Sequence, residues 1–288
     1  MIGRKKNTFI LFVIFISFAF SQLVCRRPMV AQQIYKVAVL PEYLAIEMWQ
    51  RLQPLMTYLE DTSGVRFELI IPRSFEQHIE MVRKERVDFS YQNPYVFLQV
   101  WENSSPLTLT ENRKGMLEFR GLIITRRDSG INGIEGLRGK KVSIVSLHSA
   151  GGFIAQKIFL QNRGLDVHAD LSIVETSGNR QENVIFDVVL KRTHAGFVGE
   201  EVFGRIESKG LLSPGALREI KVIAYTKGIP NWVFSARKNL PLKVKKMVQE
   251  TLLNIPFGHQ VLKTAKIRRF APIAVNHLQA YRAKVQSR

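Results

Sequence analysis

Between Tyr35 and Leu98 the chain switches repeatedly between two hydrophobic periods, and this alternation restricts the folds open to it. Tyr35-Lys36-Val37-Ala38-Val39-Leu40-Pro41 alternates in polarity and stops at proline, the pattern of a strand. From Ile46 to Thr62, residues Met48, Leu52, Leu55, Met56 and Leu59 form one helical stripe, and Gly64 supplies a stop. Pro54 inside that stripe predicts a kink or a break. Phe67 to Pro72 reads as a second strand. Ser74 then caps a helix ending near Arg86, with Gln77 placed for a reciprocal cap. Val87 to Tyr91 is a third strand, Gln92-Asn93 a turn, and Pro94 opens another helix. A βαβαβα order of this kind predicts a parallel sheet covered by helices.

The later chain repeats the architecture without repeating the sequence. Glu118 to Thr125 reads as one more strand of the first unit, and polar Arg126 to Gly130 turns the chain out of it. A helical turn at Ile134 to Leu137 follows, then a strand at Val142 to Val145 and a helix from Ser149. Leu171 to Glu175 is a strand, Gln181 to Leu190 a helix, and Ala195 to Val198 a strand. Lys221 to Tyr225 and Trp232 to Ser235 are further strands, and Leu240 to Leu253 and Ile273 to Val285 are helices. Two α/β units with a long C-terminal return predict two lobes joined by crossing strands. One lobe is expected from residues 33–124 plus 219–288 and the other from 125–218. A ligand would lie between them, beyond the carboxyl ends of the strands.

The N-terminus directs the chain out of the cytoplasm. Arg4-Lys5-Lys6 precede an apolar core from Phe9 to Phe20, and Ala19-Phe20-Ser21 offers a cleavage site. Residues 1–32 therefore read as a signal peptide or as a retained N-terminal membrane anchor. Lipidation at Cys25 is the weaker alternative, because Leu23-Val24 stand where a lipoprotein signal has a small residue. The expected location is the periplasm or cell envelope. Cys25 is the only cysteine, so the folded part has no disulfide and depends on its core. The formal charge is +18, and removing Arg4, Lys5 and Lys6 leaves 18 − 3 = +15. The cations are scattered, with no zinc-finger spacing and no ribonucleoprotein-type motif, so a nucleic-acid partner is not expected.

The turn Ser146-Leu147-His148-Ser149-Ala150-Gly151-Gly152 links the strand at Val142 to the next helix. Backbone N–H groups at a helix start lack intrahelical partners and attract anions. The same residues equally suit an ordinary βα loop with Ser149 as its cap. Catalytic signatures are missing: there is no Gly-x-Ser-x-Gly elbow, no His-Glu-x-x-His and no Walker loop, and the six histidines are dispersed. No enzyme activity, metal or cofactor is expected.

Taken in order, these landmarks resemble the periplasmic substrate-binding proteins of phosphonate, phosphite and phosphate ABC transporters. The resemblance runs from about Tyr35 to about Phe257 and rests on Trp49 to Glu60 with Gly64 and on Val87 to Val96. It also rests on Leu137 to Val142, the turn from Ser146 to Gly152, Ala195 to Val198, Ile229-Pro230 and Arg237 to Pro241. It implies a two-lobed periplasmic-binding-protein fold of type II, with hinge strands and an interlobe cleft. It also implies a small anionic ligand, an ABC permease as partner and a monomeric chain. The family holds its oxyanion with consecutive hydroxyl residues, matched here by Ser149, Ala150 and Gly151, of which only Ser149 keeps a hydroxyl. His148 could add a donor. Arg180 stands where the family has a histidine, and His194 where it has an acid, which favours a fully anionic ligand over an aminoalkyl phosphonate. Tyr91 and Tyr95 match positions near the ligand in the first lobe, and Glu42 or Tyr43 lies at the same sheet edge. Simpler readings stand beside these: Tyr95 as a core aromatic, Arg180 as a surface residue, His194 as structural and the Glu200-Glu201 pair as solvated. A sensory module that signals to a partner protein is the alternative role for the same fold.

Overall fold

A computed structural model describes residues 33–273 and 275–286. The expectations for residues 1–32, Cys25 among them, lie outside the described residues.

The first half follows its periodicity closely. Strand β1 (Ile34–Val39), helix α1 (Ala45–Ser63), β2 (Arg66–Ile70), α2 (Phe75–Arg83), β3 (Phe89–Gln92) and α3 (Pro94–Gln99) come in the expected order. Strand β1 pairs in parallel with both β2 and β3. Helix α1 buries Met48, Leu52, Leu55, Met56 and Leu59 and ends at Gly64, whose φ of 73° suits glycine. It runs through Pro54 without a break, because the apolar stripe on both sides of the proline is held in one core. The Ser74 side chain accepts from the Gln77 N–H at 3.2 Å, as a cap should. Gln77 does not return the bond to Ser74; its Oε1 accepts from the Arg73 N–H at 2.6 Å, one residue earlier.

Beyond α3 the strand order becomes long-range. Strand β4 (Ser104–Glu111) is followed by β5 (Glu118–Phe119) and β6 (Gly121–Arg126). The second unit contributes β7 (Lys141–Ile144), helix α4 (Ala155–Gln161), β8 (Ser172–Glu175), α5 (Gln181–Val189), β9 (Ala195–Gly199), α6 (Val202–Ser208) and α7 (Pro214–Arg218). The return consists of β10 (Ile220–Tyr225), β11 (Ile229–Pro230), β12 (Val233–Arg237), α8 (Leu242–Leu253), α9 (Gln260–Ala265), β13 (Arg269–Ala271) and α10 (Val275–Gln286). Two large sheets result, ordered β13-β4-β12-β3-β1-β2 and β10-β6-β9-β7-β8. The run from Glu118 to Thr125, expected as one strand of the first unit, is divided. Glu118–Phe119 pairs with Ile229–Pro230 in a short ribbon, and Gly121–Arg126 lies in the second sheet between β9 and β10. Strand β10 also belongs to that sheet. Such pairings are made between residues about a hundred positions apart, and no local pattern encodes them.

The second sheet is apolar on both faces. Leu122, Ile124 and Val198 pack with Val184 and Val188 on one side, while Ile123 and Phe197 join Phe153 on the other. Helix α5 approaches β9 so closely that a Cβ on Gly196 would lie 2.6 Å from Val184 Cγ1. Gly196→Ala is therefore expected to lower stability by roughly 1–3 kcal/mol, checked by urea denaturation. Among the described residues, no helix is long and apolar enough to cross a membrane.

Candidate functional site

A cavity of about 100 Å³ lies between the two large sheets, with walls from both lobes. The loop after β1 brings Glu42 and Tyr43 to it, α1 brings Arg51, and β3 brings Tyr91. Opposite them stand Gln181 at the start of α5, Gly199 at the end of β9, then Glu200, Glu201 and Arg205 of α6. Tyr91, Gly199 and Glu200 stand at strand ends, where an open α/β sheet places its ligands, and Arg51 and Arg205 reach in from the helices that follow.

Several contacts tie the lobes across this cavity. Gln181 Nε2 donates to Glu42 Oε1 at 3.2 Å, and Lys209 Nζ bonds Glu47 Oε2 at 2.8 Å. Arg205 lies 3.9 Å from Glu42 Oε1 and donates through Nε to Glu182 Oε1 at 3.2 Å. The Tyr43 ring sits beneath two guanidinium groups, with Arg51 at 4.3 Å and Arg205 at 5.1 Å from its centroid. Both contacts are within cation–π range.

The electrostatics follow from burial. Desolvation pushes the Tyr43 hydroxyl up to about 12, and the nearby Glu42 carboxylate adds to the rise. Desolvation also raises the Glu42 carboxyl, against the pull of Arg205 and Arg51. Burial alone would weaken the charge of Arg205, but Tyr43, Glu42 and Glu182 more than offset it and hold the group firmly protonated. At the cavity, among the described residues, three buried guanidinium nitrogens have no hydrogen-bond partner: Arg51 Nε, Arg51 Nη1 and Arg205 Nη2. Buried cationic donors left in this condition call for an acceptor.

A second meeting of the lobes occurs at the helix start singled out in the sequence. Ser149 caps it, its Oγ accepting from the Gly152 N–H at 3.1 Å. The first turn, Ala150–Ile154, is wound as a π-helix before α4 begins. The His148 carbonyl accepts from Asn93 Nδ2 at 3.2 Å, and its ring stacks on Tyr95 with centroids 6.2 Å apart. Its Nε2 lies 3.7 Å from Glu76 Oε1. Phe119 lies directly on Gly151, where an added Cβ would meet Phe119 Cε2 at 2.5 Å. Ala150 packs with Tyr281, Tyr95 and Phe119.

The residues expected at the site therefore fall into three groups. Tyr43 and Tyr91 line the cavity, with Glu42 beside them. His148, Ser149, Ala150, Gly151 and Tyr95 come together, but at the second contact rather than on the cavity wall. Arg180 and His194 join neither. Arg180 is half-buried one residue before α5, and its neighbour Gln181 is the one that reaches across. His194 is exposed at the start of β9, its Nδ1 accepting from the Lys141 N–H at 3.2 Å, while Gly199 at the far end of the strand faces the cavity. Glu200 and Glu201, read as solvated, reach the cavity wall, with Glu200 paired to Arg120 at 3.1 Å. Arg51 and Arg205 were missed. Arg51 carried a signal, a cation at helical spacing between Met48 and Leu55 on an apolar stripe.

Comparison with known proteins agrees with this architecture. Residues 37–278 match the family model described as ABC transporter, phosphonate, periplasmic substrate-binding protein. The tetrathionate sensor histidine kinase TtrS of Salmonella typhimurium is 24% identical over 221 residues, covering 72% of this chain and 37% of the kinase. The phosphate-import protein PhnD of Mycolicibacterium smegmatis is 22% identical over 197 residues, covering 64% of this chain and 61% of that protein. The chain thus spans less than two thirds of the length of either relative. The structure of PhnD1 from Prochlorococcus marinus in complex with methylphosphonate superposes with a TM-score of 0.76 at 15% identity, covering 89% of this chain and 98% of that one. Two lobes, a cleft between strand ends and a match along most of the chain point the same way: the protein belongs to the phosphonate periplasmic substrate-binding family of ABC transporters.

Proposed function

We propose that the protein captures a small oxyanion of phosphate, phosphite or phosphonate type between its lobes and delivers it to an ABC permease. The observation that carries this reading is the cavity itself, walled by both lobes and tied across by Gln181–Glu42 and Lys209–Glu47. A site built half from each lobe is completed only on closure, which is how a hinged protein couples binding to shape. At about 100 Å³ the cavity is smaller than the roughly 150 Å³ that holds a benzene ring, so the solute is small. Export fits the family, whose members act in the periplasm.

Thermal melting with phosphate, phosphite, methylphosphonate and sulfate tests the reading. A solute held only by the folded form stabilises it by roughly 2.7 kcal/mol at a hundredfold excess over Kd. A raised Tm with at least one phosphorus oxyanion is expected, and an unchanged Tm with all of them refutes the assignment. A sensory role is the second reading, favoured by the similarity to a tetrathionate sensor kinase. Tetrathionate in the same panel separates the two: a shift with tetrathionate alone favours sensing.

A further inference from the structure

We propose that Arg51 receives the negative charge of the bound solute, and that the helix start at Ser149 does not. This rests on the binding role proposed above and names the charge-recognising group within it.

Arg51 is placed for the task by its helix. It lies three residues after Met48 and four before Leu55, on the face of α1 that enters the core. Its Nη2 donates to the Ala265 carbonyl at 3.0 Å, its Nε and Nη1 are buried without an acceptor in hydrogen-bond geometry, and the Tyr43 hydroxyl beside it is neutral. A buried guanidinium is stable only beside an acceptor of opposite charge. The carboxylates around the cavity are engaged elsewhere. Glu111 pairs with Arg268 at 3.1 Å and also with Arg269, Glu200 with Arg120, and Glu47 with Lys209 and Lys266. Glu182 pairs with Arg205, and Glu42 is shared between Gln181 and Arg205. Glu201 remains, exposed at the rim. Among the described residues, Arg51 is in no ion pair, so the acceptor it lacks is supplied by the solute. Tyr43 beneath it holds the guanidinium plane, and the forked donors suit the oxygens of a small oxyanion.

The helix start offers a solute nothing comparable. Ser149, whose Oγ accepts from the Gly152 N–H, is 6% exposed, Ala150 is 1% exposed, and Phe119 covers Gly151. Those residues hold the lobes to each other instead, through Asn93 and the Tyr95–His148 stack.

The test is titration calorimetry of phosphate, methylphosphonate and acetate into the wild type, Arg51→Gln and Ser149→Ala, with ligand-free melting of Arg51→Met alongside. Arg51→Gln is expected to weaken oxyanion binding by roughly 30-fold or more, the usual consequence of removing a buried charged donor. Ser149→Ala should bind within about threefold of wild type, because only its cap is lost. Arg51→Met should melt no lower than wild type, since it removes a buried charge that is in no ion pair. Retained binding in Arg51→Gln, or lost binding in Ser149→Ala, overturns the inference while leaving the binding role intact. A wild type that binds none of the three, and whose Tm phosphite leaves unchanged, refutes the phosphorus-oxyanion role. In that event a sharply lower Tm in Arg51→Met makes Arg51 structural and overturns the inference as well.

Discussion

Glu182→Ala is expected to lower the stability of the protein by about 3 kcal/mol, as is usual when one member of a buried ion pair is removed. Glu182 is 5% exposed on α5, and Arg205 reaches it from α6 with N···O at 3.2 Å. Taking the carboxylate away leaves the guanidinium facing Glu42 alone, at 3.9 Å. Burial then opposes a charge that has lost its nearest counterweight. The loss should appear as a lower urea midpoint with unchanged slope. The double variant Glu182→Leu with Arg205→Met should recover most of it, because an apolar pair of similar volume often matches a buried ion pair in stability. A loss below 1 kcal/mol in the single variant would mean that water screens the pair.

Acid is expected to destabilise the protein through His78. This side chain is fully buried on α2, and its Nε2 lies 2.6 Å from Gln92 Oε1. Gln92 Nε2 donates to Ser235 Oγ at 3.3 Å, and Ser235 meets Ser90 at 2.9 Å, so one polar chain links α2, β3 and β12. Burial lowers the imidazole from its ordinary 6.5 to about 4. Above pH 6.5 the ring is neutral in both folded and unfolded chains, and stability does not depend on it. Between pH 6.5 and 4 the unfolded chain binds a proton that the folded one refuses. Stability then falls by about 1.4 kcal/mol per pH unit, roughly 3 kcal/mol in all. Urea midpoints of wild type and His78→Leu at pH 7.5 and pH 4 isolate this contribution. The variant is less stable at neutral pH, but its loss on acidification should be smaller by about that amount. Parallel acid losses in the two proteins would mean that His78 titrates normally.

What the sequence made legible was local. The alternation of β1 to α3, the cap at Ser74, the proline start of α3 and the glycine stop of α1 are each written within a few residues, and the chain folds accordingly. Strand β4 was not legible, because Ser104 to Glu111 mixes serines and threonines around Pro106 and is recruited by its neighbours; its pairing with β12 shifts register between Phe234 and Ser235. The allocation of Gly121–Arg126 to the second sheet was equally hidden, since it depends on β9 and β10. The site divides in the same way. Tyr43 and Tyr91 stand where strands end, and strand ends can be read. Arg205 acquires its environment from Glu182, 23 residues earlier on another helix, and no motif connects the two. His194 was placed by its position before Ala195-Gly196, but a strand has two ends and the cavity lies at the other one.

The place of β12 in the first sheet has a consequence for how the molecule comes together. It lies between β3 and β4, yet the chain reaches it only after the whole second sheet has been traversed. Until residues 233–237 arrive, the first sheet is two fragments, β2-β1-β3 and a detached β4, each with an unpaired edge. A nascent chain emerging from its N-terminus therefore completes the second sheet only at Tyr225 and must leave the first open for longer still. Closing that gap joins segments more than a hundred residues apart, which makes it a slow event.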